Sequence, residues 1–354
     1  MMRNGERYAV AVRTADRQIT VQTDTYHFAS AGVRSIPILR GMISFVDSMV
    51  LGMKSLMFSA DLFAEESEKE MEERLSDEKK KAAKLRAAGK AQEADRLLEK
   101  TEKSAEKERE SLRNRTQSGN GKSEDSDNTV LLGLTVAFSL IVSVALFMML
   151  PYFLSRLLKG IGTPEFVISV MEGVLRLVIF LGYMLLISRM KDIQRTFMYH
   201  GAEHKCINCI EHGLELNVEN VRKSSREHKR CGTSFLLFVM VVSIIFFLFI
   251  RTDSPVMRIV FRLLLIPVVA GVSYEFIRLA GLYDNKFVDL LSKPGMALQR
   301  LTTREPDDAQ IEVGIASVEA VFNWRKYLNE NFGAHYELRP EDEPKEGKNL
   351  YTIR

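Results

Sequence analysis

Histidine and cysteine side chains are concentrated in one short part of this 354-residue chain. Four of the six histidines and all three cysteines lie between residues 200 and 231. Together with glutamate, these are the side chains with which proteins bind and use transition metals. Their concentration therefore predicts a metal site in this segment.

The string His200-Gly-Ala-Glu203-His204 has the spacing of a metal-binding helix. Residues four apart on a helix share a face, and the string matches the inverted zinc-protease pattern H-x-x-E-H, in which the glutamate is the general base. Catalytic zinc takes three protein ligands and leaves one position open for water. We therefore expect His200 and His204 as metal ligands, a further ligand from His228 and Cys231, and Glu203 as the catalytic base.

Two other interpretations use the same segment. Cys206-x-x-Cys209 and His228-x-x-Cys231 form two chelating pairs, a spacing close to that of a closed structural zinc site. Alternatively, these residues pack and form hydrogen bonds in a polar loop without any metal. The short motifs alone leave the three interpretations open.

Four apolar segments flank this region, each near the ~20 residues that cross a bilayer. Runs such as residues 235–250 lack the polar face of a helix in a soluble protein. The pattern predicts an all-α polytopic membrane protein with about four transmembrane helices. The expected spans are Val130–Leu150, Phe166–Ser188, Thr233–Ile250 and Val256–Leu282.

Basic residues predict the orientation of these spans. The connection 189–232 carries nine Lys and Arg residues, whereas the other two connections are short and carry few. The positive-inside rule then places this loop and both termini in the cytoplasm of a multi-pass protein of the cell (plasma) membrane. The expected metal site lies at the inner membrane face.

Regions outside the spans carry their own patterns. Alternation in Tyr8–Val12 and Ile19–Thr23 predicts a small N-terminal β hairpin. Residues 36–60 are apolar but interrupted by charges, which favours an interfacial or re-entrant helix over a fifth span. Residues 61–116 are rich in Glu, Lys, Arg and Ala and predict a charged helical insert, a helix or a helical hairpin, before a flexible linker.

The C-terminal region is expected to contain a helix from about Ala309 to Asn331 and then a loosely ordered tail. The resulting division of the chain is 1–60 (hairpin and apolar helix), 61–128 (insert and linker), 129–188 (first two spans), 189–232 (metal-site loop), 233–282 (last two spans) and 283–354 (cytoplasmic C-terminal region).

Ionisable residues inside apolar spans are costly and mark candidate sites. Glu172 and Arg176 stand four apart, which permits an ion pair on one helix. Glu275 is a candidate further ligand or orienting partner for an imidazole, with a helix-packing ion pair as the alternative. Arg258 and Arg262 are expected to extend to the outer membrane surface.

Several ordered motifs together resemble the YqhQ-like bacterial membrane proteins. The similarity covers nearly the whole chain except the insert 61–128. The family is a domain of unknown function whose members are classed as predicted metal-dependent enzymes, so the resemblance implies a metal, held in the motifs that contain His200, Glu203, His204, His228 and Cys231. The motifs are Tyr199–Lys205, Val218–Val221, His228–Phe235, Tyr274–Gly281 and Leu301–Asp308.

Cys206 lies outside the motifs of this family, which weakens the closed-site interpretation. The favoured function is a metal-dependent hydrolase, with a divalent metal, zinc, as cofactor. Its partners are the lipid bilayer and a membrane-protein segment or lipid-linked group as substrate. A net charge of +3 against 95 charged side chains gives no sign of nucleic-acid binding. The alternative is a non-enzymatic membrane assembly or scaffold protein with a structural metal site, and transport, without a repeated half, is a weaker third option.

Overall fold

The computed structural model describes residues 1–26, 35–117, 126–157, 162–229, 231–250, 254–282, 286–344 and 347–353. Helices dominate these residues, and a small antiparallel sheet accompanies them, which confirms the expected fold class. The strands are β1 (Met2–Asn4), β2 (Arg7–Arg13), β3 (Ile19–Thr25) and β4 (Asn349–Ile353). The helices are α1 (Leu39–Ala87), α2 (Ala91–Gln117), α3 (Ser126–Val144), a π-helical turn (Ala145–Met149), α4 (Leu150–Arg156), α5 (Glu165–Ile187), α6 (Lys191–Glu211), α7 (Val218–Lys223), α8 (Gly232–Leu248), α9 (Pro255–Leu282), α10 (Lys286–Thr302), α11 (Asp308–Glu319) and α12 (Trp324–Phe332).

Four helices are long and apolar enough to cross a membrane: Leu39–Ala87, Ala137–Arg156, Glu165–Ile187 and Val260–Leu279. The last three overlap expected spans. Helix α8, the remaining expected span, has 17 apolar-rich residues and falls just short of the usual length. Helix α1 joins the apolar stretch 39–60 to the charged insert in one 49-residue helix, because neither Gly nor Pro interrupts residues 55–87.

The chain divides into two compact units. The first contains Met1–Ala11, Val21–Val50 and Leu140–Tyr351, and the second contains Val12–Thr20, Leu51–Ser139 and Thr352–Arg354. All of the candidate metal ligands belong to the first unit.

The charged insert folds as a helical hairpin within the second unit, as one of the two expected forms. Helix α1 ends at Ala87 and α2 begins at Ala91. Gly89 lies between them with φ 79°, a left-handed conformation that glycine adopts without strain. Exposed pairs such as Glu99 with Lys103, 2.7 Å apart, line the helices, while most of the expected linker lies outside the described residues.

The predicted hairpin is confirmed as β2 and β3, and the sheet is larger than expected. Its order is β1-β2-β3-β4, with β1 antiparallel to β2. The expectation of a loosely ordered tail is wrong for residues 349–353, because they add β4 beside β3. The short segment 350–353 alternates weakly, and its pairing depends on a strand more than 300 residues away.

The single helix expected over 309–331 is divided into α11 and α12. Asp307 and Gln310 form a reciprocal capping box at the start of α11. Asn323 then starts α12, since its side chain accepts a hydrogen bond from the backbone N–H of Lys326. In a continuous helix the N–H of Lys326 would instead donate to a backbone carbonyl one turn earlier. The cap therefore marks the start of a separate helix.

Ion pairs join several of the ionisable residues singled out in the expected spans. Glu172 accepts a hydrogen bond from Arg176 at 2.7 Å, as expected. The expectation for Arg262 is wrong: its side chain is buried, with Nη1 2.6 Å from the same Glu172 carboxylate. The side chain of Arg258 lies outside the described residues. Glu275 accepts hydrogen bonds from Arg40 on α1, which supports the ion-pair interpretation over a metal ligand.

Candidate metal centre

Helix α6 presents the two histidines of the His-Gly-Ala-Glu-His string side by side. His200 and His204 are one turn apart, and their ring centroids are 4.4 Å apart with the planes at 65°. His200 lies next to the midpoint of α6 and His204 one turn later, where the inner face of the helix is buried. The spacing argument for one shared face is therefore confirmed.

Cys231, at the start of α8, lies close to these two histidines. It is the N-cap residue, and its Sγ accepts a hydrogen bond from the backbone N–H of Thr233 at 3.4 Å. His200 Nε2 lies 3.2 Å from this sulfur. One ligand atom from each of His200, His204 and Cys231 lies within 4.8 Å of the others. In the described part of the chain, this trio is the set of His, Cys, Asp or Glu side chains whose ligand atoms lie close enough together to bind one metal ion.

Backbone carbonyls orient both imidazoles. His200 Nδ1 lies 2.9 Å from the carbonyl oxygen of Thr302, and His204 Nδ1 lies 2.6 Å from that of Arg226. A carbonyl oxygen can only accept, so both Nδ1 atoms carry protons and donate them. The Nε2 atom of each ring is therefore the one available to bind a metal, which is the arrangement that metal-binding histidines adopt.

The close approach of the segment after α10 explains the glycine in the motif. A Cβ on Gly201 would lie 2.1 Å from the carbonyl oxygen of Arg304. The backbone N–H of Arg304 donates to the carbonyl of Phe197 at 3.0 Å, which ties this segment to α6. Thr302, whose carbonyl orients His200, was not identified from sequence, although it lies in the motif Leu301–Asp308.

The loop between α7 and α8 is held by two further side chains of α6. Lys205 Nζ donates to the carbonyls of Arg222 and Ser224 at 2.9 and 2.8 Å. Asn208 donates to the carbonyls of Ser225 and Glu227 at 2.7 and 2.9 Å. Both side chains are buried. They were not identified from sequence, although Asn208, four residues after His204, lies on the same face of the helix.

The surroundings shift the pKa values of Cys231 and His200 in opposite directions. Burial opposes ionisation of Cys231, but hydrogen bonds and charge from His200 and His204 outweigh it and lower the pKa of the thiol to about 5. Burial likewise disfavours the charged form of His200, yet Cys231 and the Thr302 carbonyl raise its pKa to about 9. The metal-free pair is therefore a thiolate and an imidazolium near neutral pH, and metal binding must release one proton from His200.

His228 lies beside the trio but faces another partner. Its ring centroid is 5.9 Å from that of His204, and its Nε2 is 3.0 Å from a carboxylate oxygen of Glu211. Gln299 is fully buried and binds both the N–H and the carbonyl of His228, at 2.8 and 2.7 Å. The structure thus brings together three of the four expected ligands and places His228 next to them.

The other two cysteines lie away from the trio. Cys206 is fully buried against α11, where a Cβ on Gly314 would lie 3.1 Å from its sulfur. Cys209 donates to the carbonyl of Glu215 at 3.3 Å. Burial raises the pKa of both thiols, which disfavours the thiolate that a metal requires. This arrangement gives no support to a closed site built from the Cys-x-x-Cys pair.

The trio opens onto a cavity of about 670 Å³ within the first unit. Glu203, which is about one quarter exposed, lies on its wall, with Oε1 2.6 Å from the Met1 amino group. Apolar side chains form much of the remaining wall, among them Ile207, Val318 and Phe322. A substrate of moderate size therefore has access to both the candidate ligands and the candidate base.

Comparison with known proteins identifies the family of this chain. The sequence profile of the family described as "Protein of unknown function (DUF1385)" matches residues 36–324. The chain belongs to this family. A relative called "Uncharacterized protein YqhQ", from Bacillus subtilis (strain 168), is 32% identical over 300 residues, which are 84% of this chain and 81% of that protein. No solved structure matches the chain. The DUF1385 match includes all of the candidate ligands and Glu203, and the resemblance seen in the sequence is confirmed.

Proposed function

We propose that this chain is a zinc-dependent hydrolase at the cytoplasmic face of the plasma membrane. The observation that supports it most is the convergence of two carbonyl-oriented imidazoles and one cysteine sulfur within 4.8 Å at the wall of an open cavity. A structural zinc site is normally closed by four protein ligands, whereas a catalytic one has three. Three converging ligands beside a cavity favour catalysis.

The donor set suits zinc. Two imidazole nitrogens and a thiolate are the ligands of zinc and other transition metals, whereas magnesium and calcium prefer oxygen. With typical zinc–nitrogen and zinc–sulfur bonds, the nitrogen–sulfur edge of a tetrahedron is roughly 3.5 Å. The separation of His200 Nε2 and Cys231 Sγ, 3.2 Å, is already close to that edge. His200 and Cys231 therefore need little rearrangement to hold the ion, and the ligand atom of His204 lies within 4.8 Å of both.

The chemistry divides between the ion and the protein. Bound zinc supplies a Lewis acid that activates water and polarises a carbonyl or phosphoryl oxygen. Glu203 is three residues after His200 on α6 and lines the same cavity, so it is positioned to accept the proton of the attacking water. The apolar wall favours a substrate with an apolar portion, either a segment of a membrane protein or a lipid-linked group.

The proposed location rests on the distribution of charge. Nine basic residues in the 189–232 connection favour a cytoplasmic position for this loop, and with it for both termini. Reporter fusions at Asn217 and Tyr351 are expected to give the inner signal, and fusions at Gly162 and Ser254 the outer one. An outer signal from Asn217 would reverse the orientation and place the metal centre outside the cell.

The function is tested by separating ligand from base. His204→Ala removes a ligand, so the purified variant should contain little zinc. Glu203→Gln leaves all three ligands and should contain near-normal zinc, yet lose about 10²–10⁴-fold in rate and fail to complement a null strain. Glu219→Gln is the control, because Glu219 is an exposed glutamate on α7.

Two outcomes would overturn the hydrolase proposal. If Glu203→Gln complements fully and His204→Ala does not, the metal is structural and the scaffold function replaces the enzyme. If both variants complement, the His-Glu-His string serves only packing.

A further inference from the structure

A second charged cluster lies within the apolar helices and takes no part in the proposed hydrolysis. It consists of Glu172 and Arg176 on α5 and Arg262 on α9, which are each 4% exposed. One carboxylate oxygen of Glu172 accepts from Arg176 at 2.7 Å and lies 2.6 Å from Arg262 Nη1. A single carboxylate is thus shared by two guanidinium groups.

Among the described residues, the cluster carries an uncompensated positive charge. Arginine stays protonated even in apolar surroundings, so two arginines and one ionised glutamate sum to +1. An uncompensated charge in the hydrocarbon layer is strongly unfavourable. A neutral pair that ties α5 to α9 needs only Glu172 and Arg262, because Arg176 lies on α5 together with Glu172. The second arginine therefore indicates a missing anion.

The two arginines differ in how their donors are used. Arg176 Nε donates to the carbonyl of Phe147 at 3.1 Å, in the π-helical turn before α4, a type of turn that is frequent at functional sites. Both guanidinium carbons lie over the ring of Phe247, at 4.9 and 5.0 Å from its centroid. Arg262 Nε is buried and has no hydrogen-bond partner among the described residues. A buried guanidinium donor without an acceptor is expensive.

We propose that this cluster binds a phosphate group, which supplies the missing negative charge and accepts from Arg262. The guanidinium fork matches the oxygens of a phosphate. Glu172 and Arg262 are each seven residues from the first residue of their helices, which places them about 10 Å from the helix ends. A group entering from that membrane surface needs to descend only a third of the bilayer. The phosphate belongs either to an anionic lipid headgroup or to inorganic phosphate.

The test uses the purified full-length chain in a zwitterionic detergent. Native mass spectrometry counts retained adducts during titration with short-chain phosphatidylglycerol, phosphatidylcholine and inorganic phosphate. Wild type is expected to bind phosphatidylglycerol at least 10-fold more tightly than phosphatidylcholine. Arg262→Gln leaves the neutral Glu172–Arg176 pair and should abolish this preference, whereas Arg262→Lys keeps the charge and should retain part of it.

The matched control is Arg278→Gln, which removes one charge from an exposed position of the same helix. It should change the affinity for phosphatidylglycerol less than two-fold. Displacement of the lipid by inorganic phosphate would identify the free anion as an occupant, and retention of the lipid would identify the headgroup; both support the site. The site is overturned if wild type binds the two lipids equally and retains no phosphate. It is also overturned if Arg262→Gln and Arg278→Gln bind phosphatidylglycerol with equal affinity. Thermal unfolding of Arg262→Gln, expected to stay cooperative and to lose its shift on addition of phosphatidylglycerol, shows that the variant is folded.

Discussion

Gly201→Ala adds one methyl group between the two segments that build the metal centre. The new Cβ would lie 2.1 Å from the carbonyl oxygen of Arg304, whereas ordinary contact begins at 3.4 Å. Helix α6 and the segment after α10 must therefore move apart by about 1.3 Å at this point. A shift of that size stretches the 2.9 Å hydrogen bond between His200 Nδ1 and the Thr302 carbonyl beyond its normal range.

The magnitude follows from three contributions. Overpacking costs about 1–3 kcal/mol, and the lost hydrogen bond costs about 1 kcal/mol more. The higher helix propensity of alanine returns up to about 1 kcal/mol. We expect the metal-free Gly201→Ala protein to be less stable than wild type by about 1–3 kcal/mol. Because His200 also loses its orienting carbonyl, zinc affinity should fall about 10–100-fold.

Two assays separate these effects. Denaturant unfolding of the metal-free protein measures stability, and competition with a chromophoric chelator measures zinc affinity. Gly182→Ala is the control, since this helical glycine has nothing within 4 Å of its added Cβ, and the variant should match or exceed wild type in both assays. Zinc affinity within two-fold of wild type in Gly201→Ala would refute the role assigned to the Thr302 carbonyl.

Two further predictions concern the thiols and the loop. Because the pKa of Cys231 is lowered to about 5, its thiolate should persist at pH 7 and be lost as the pH falls through 5. Iodoacetamide should therefore modify Cys231 before Cys206 and Cys209 in metal-free protein, as read by peptide mass spectrometry, and zinc should protect it; equal labelling of the three would contradict the assignment. Lys205→Met should cost about 2–4 kcal/mol in denaturant unfolding, because the carbonyls of Arg222 and Ser224 lose a buried charged donor. The exposed Lys223→Met should cost less than about 0.5 kcal/mol, and equal effects would refute the role of Lys205.

Local patterns in the sequence predicted those parts of the site that depend on short-range geometry. The four-residue spacing of His200 and His204 was sufficient to predict that their side chains lie together, because residues four apart share one face of a helix. Cys231 was correctly expected to return to the same place because its loop starts and ends at apolar helices. The position of Glu203 on the cavity wall follows from the same spacing.

The remaining features depend on contacts between distant segments. Thr302 lies 102 residues from His200, and it acts through a backbone carbonyl that any residue type would carry. The burial of Arg262 was not predicted, because its partner Glu172 lies 90 residues earlier on another helix. Residue type and spacing do not reveal such pairings.

X-ray absorption at the zinc edge of the purified protein measures the ligand set of the His200–His204–Cys231 site. We expect about one zinc per chain, with two imidazole nitrogens at about 2.0–2.1 Å, one sulfur at about 2.3 Å and one further light atom. Cys231→Ser should remove the sulfur signal, and Cys206→Ser should leave it unchanged. Two or more sulfur ligands, a sulfur signal that survives Cys231→Ser, or protein free of metal after purification without chelators would contradict the open His200–His204–Cys231 site.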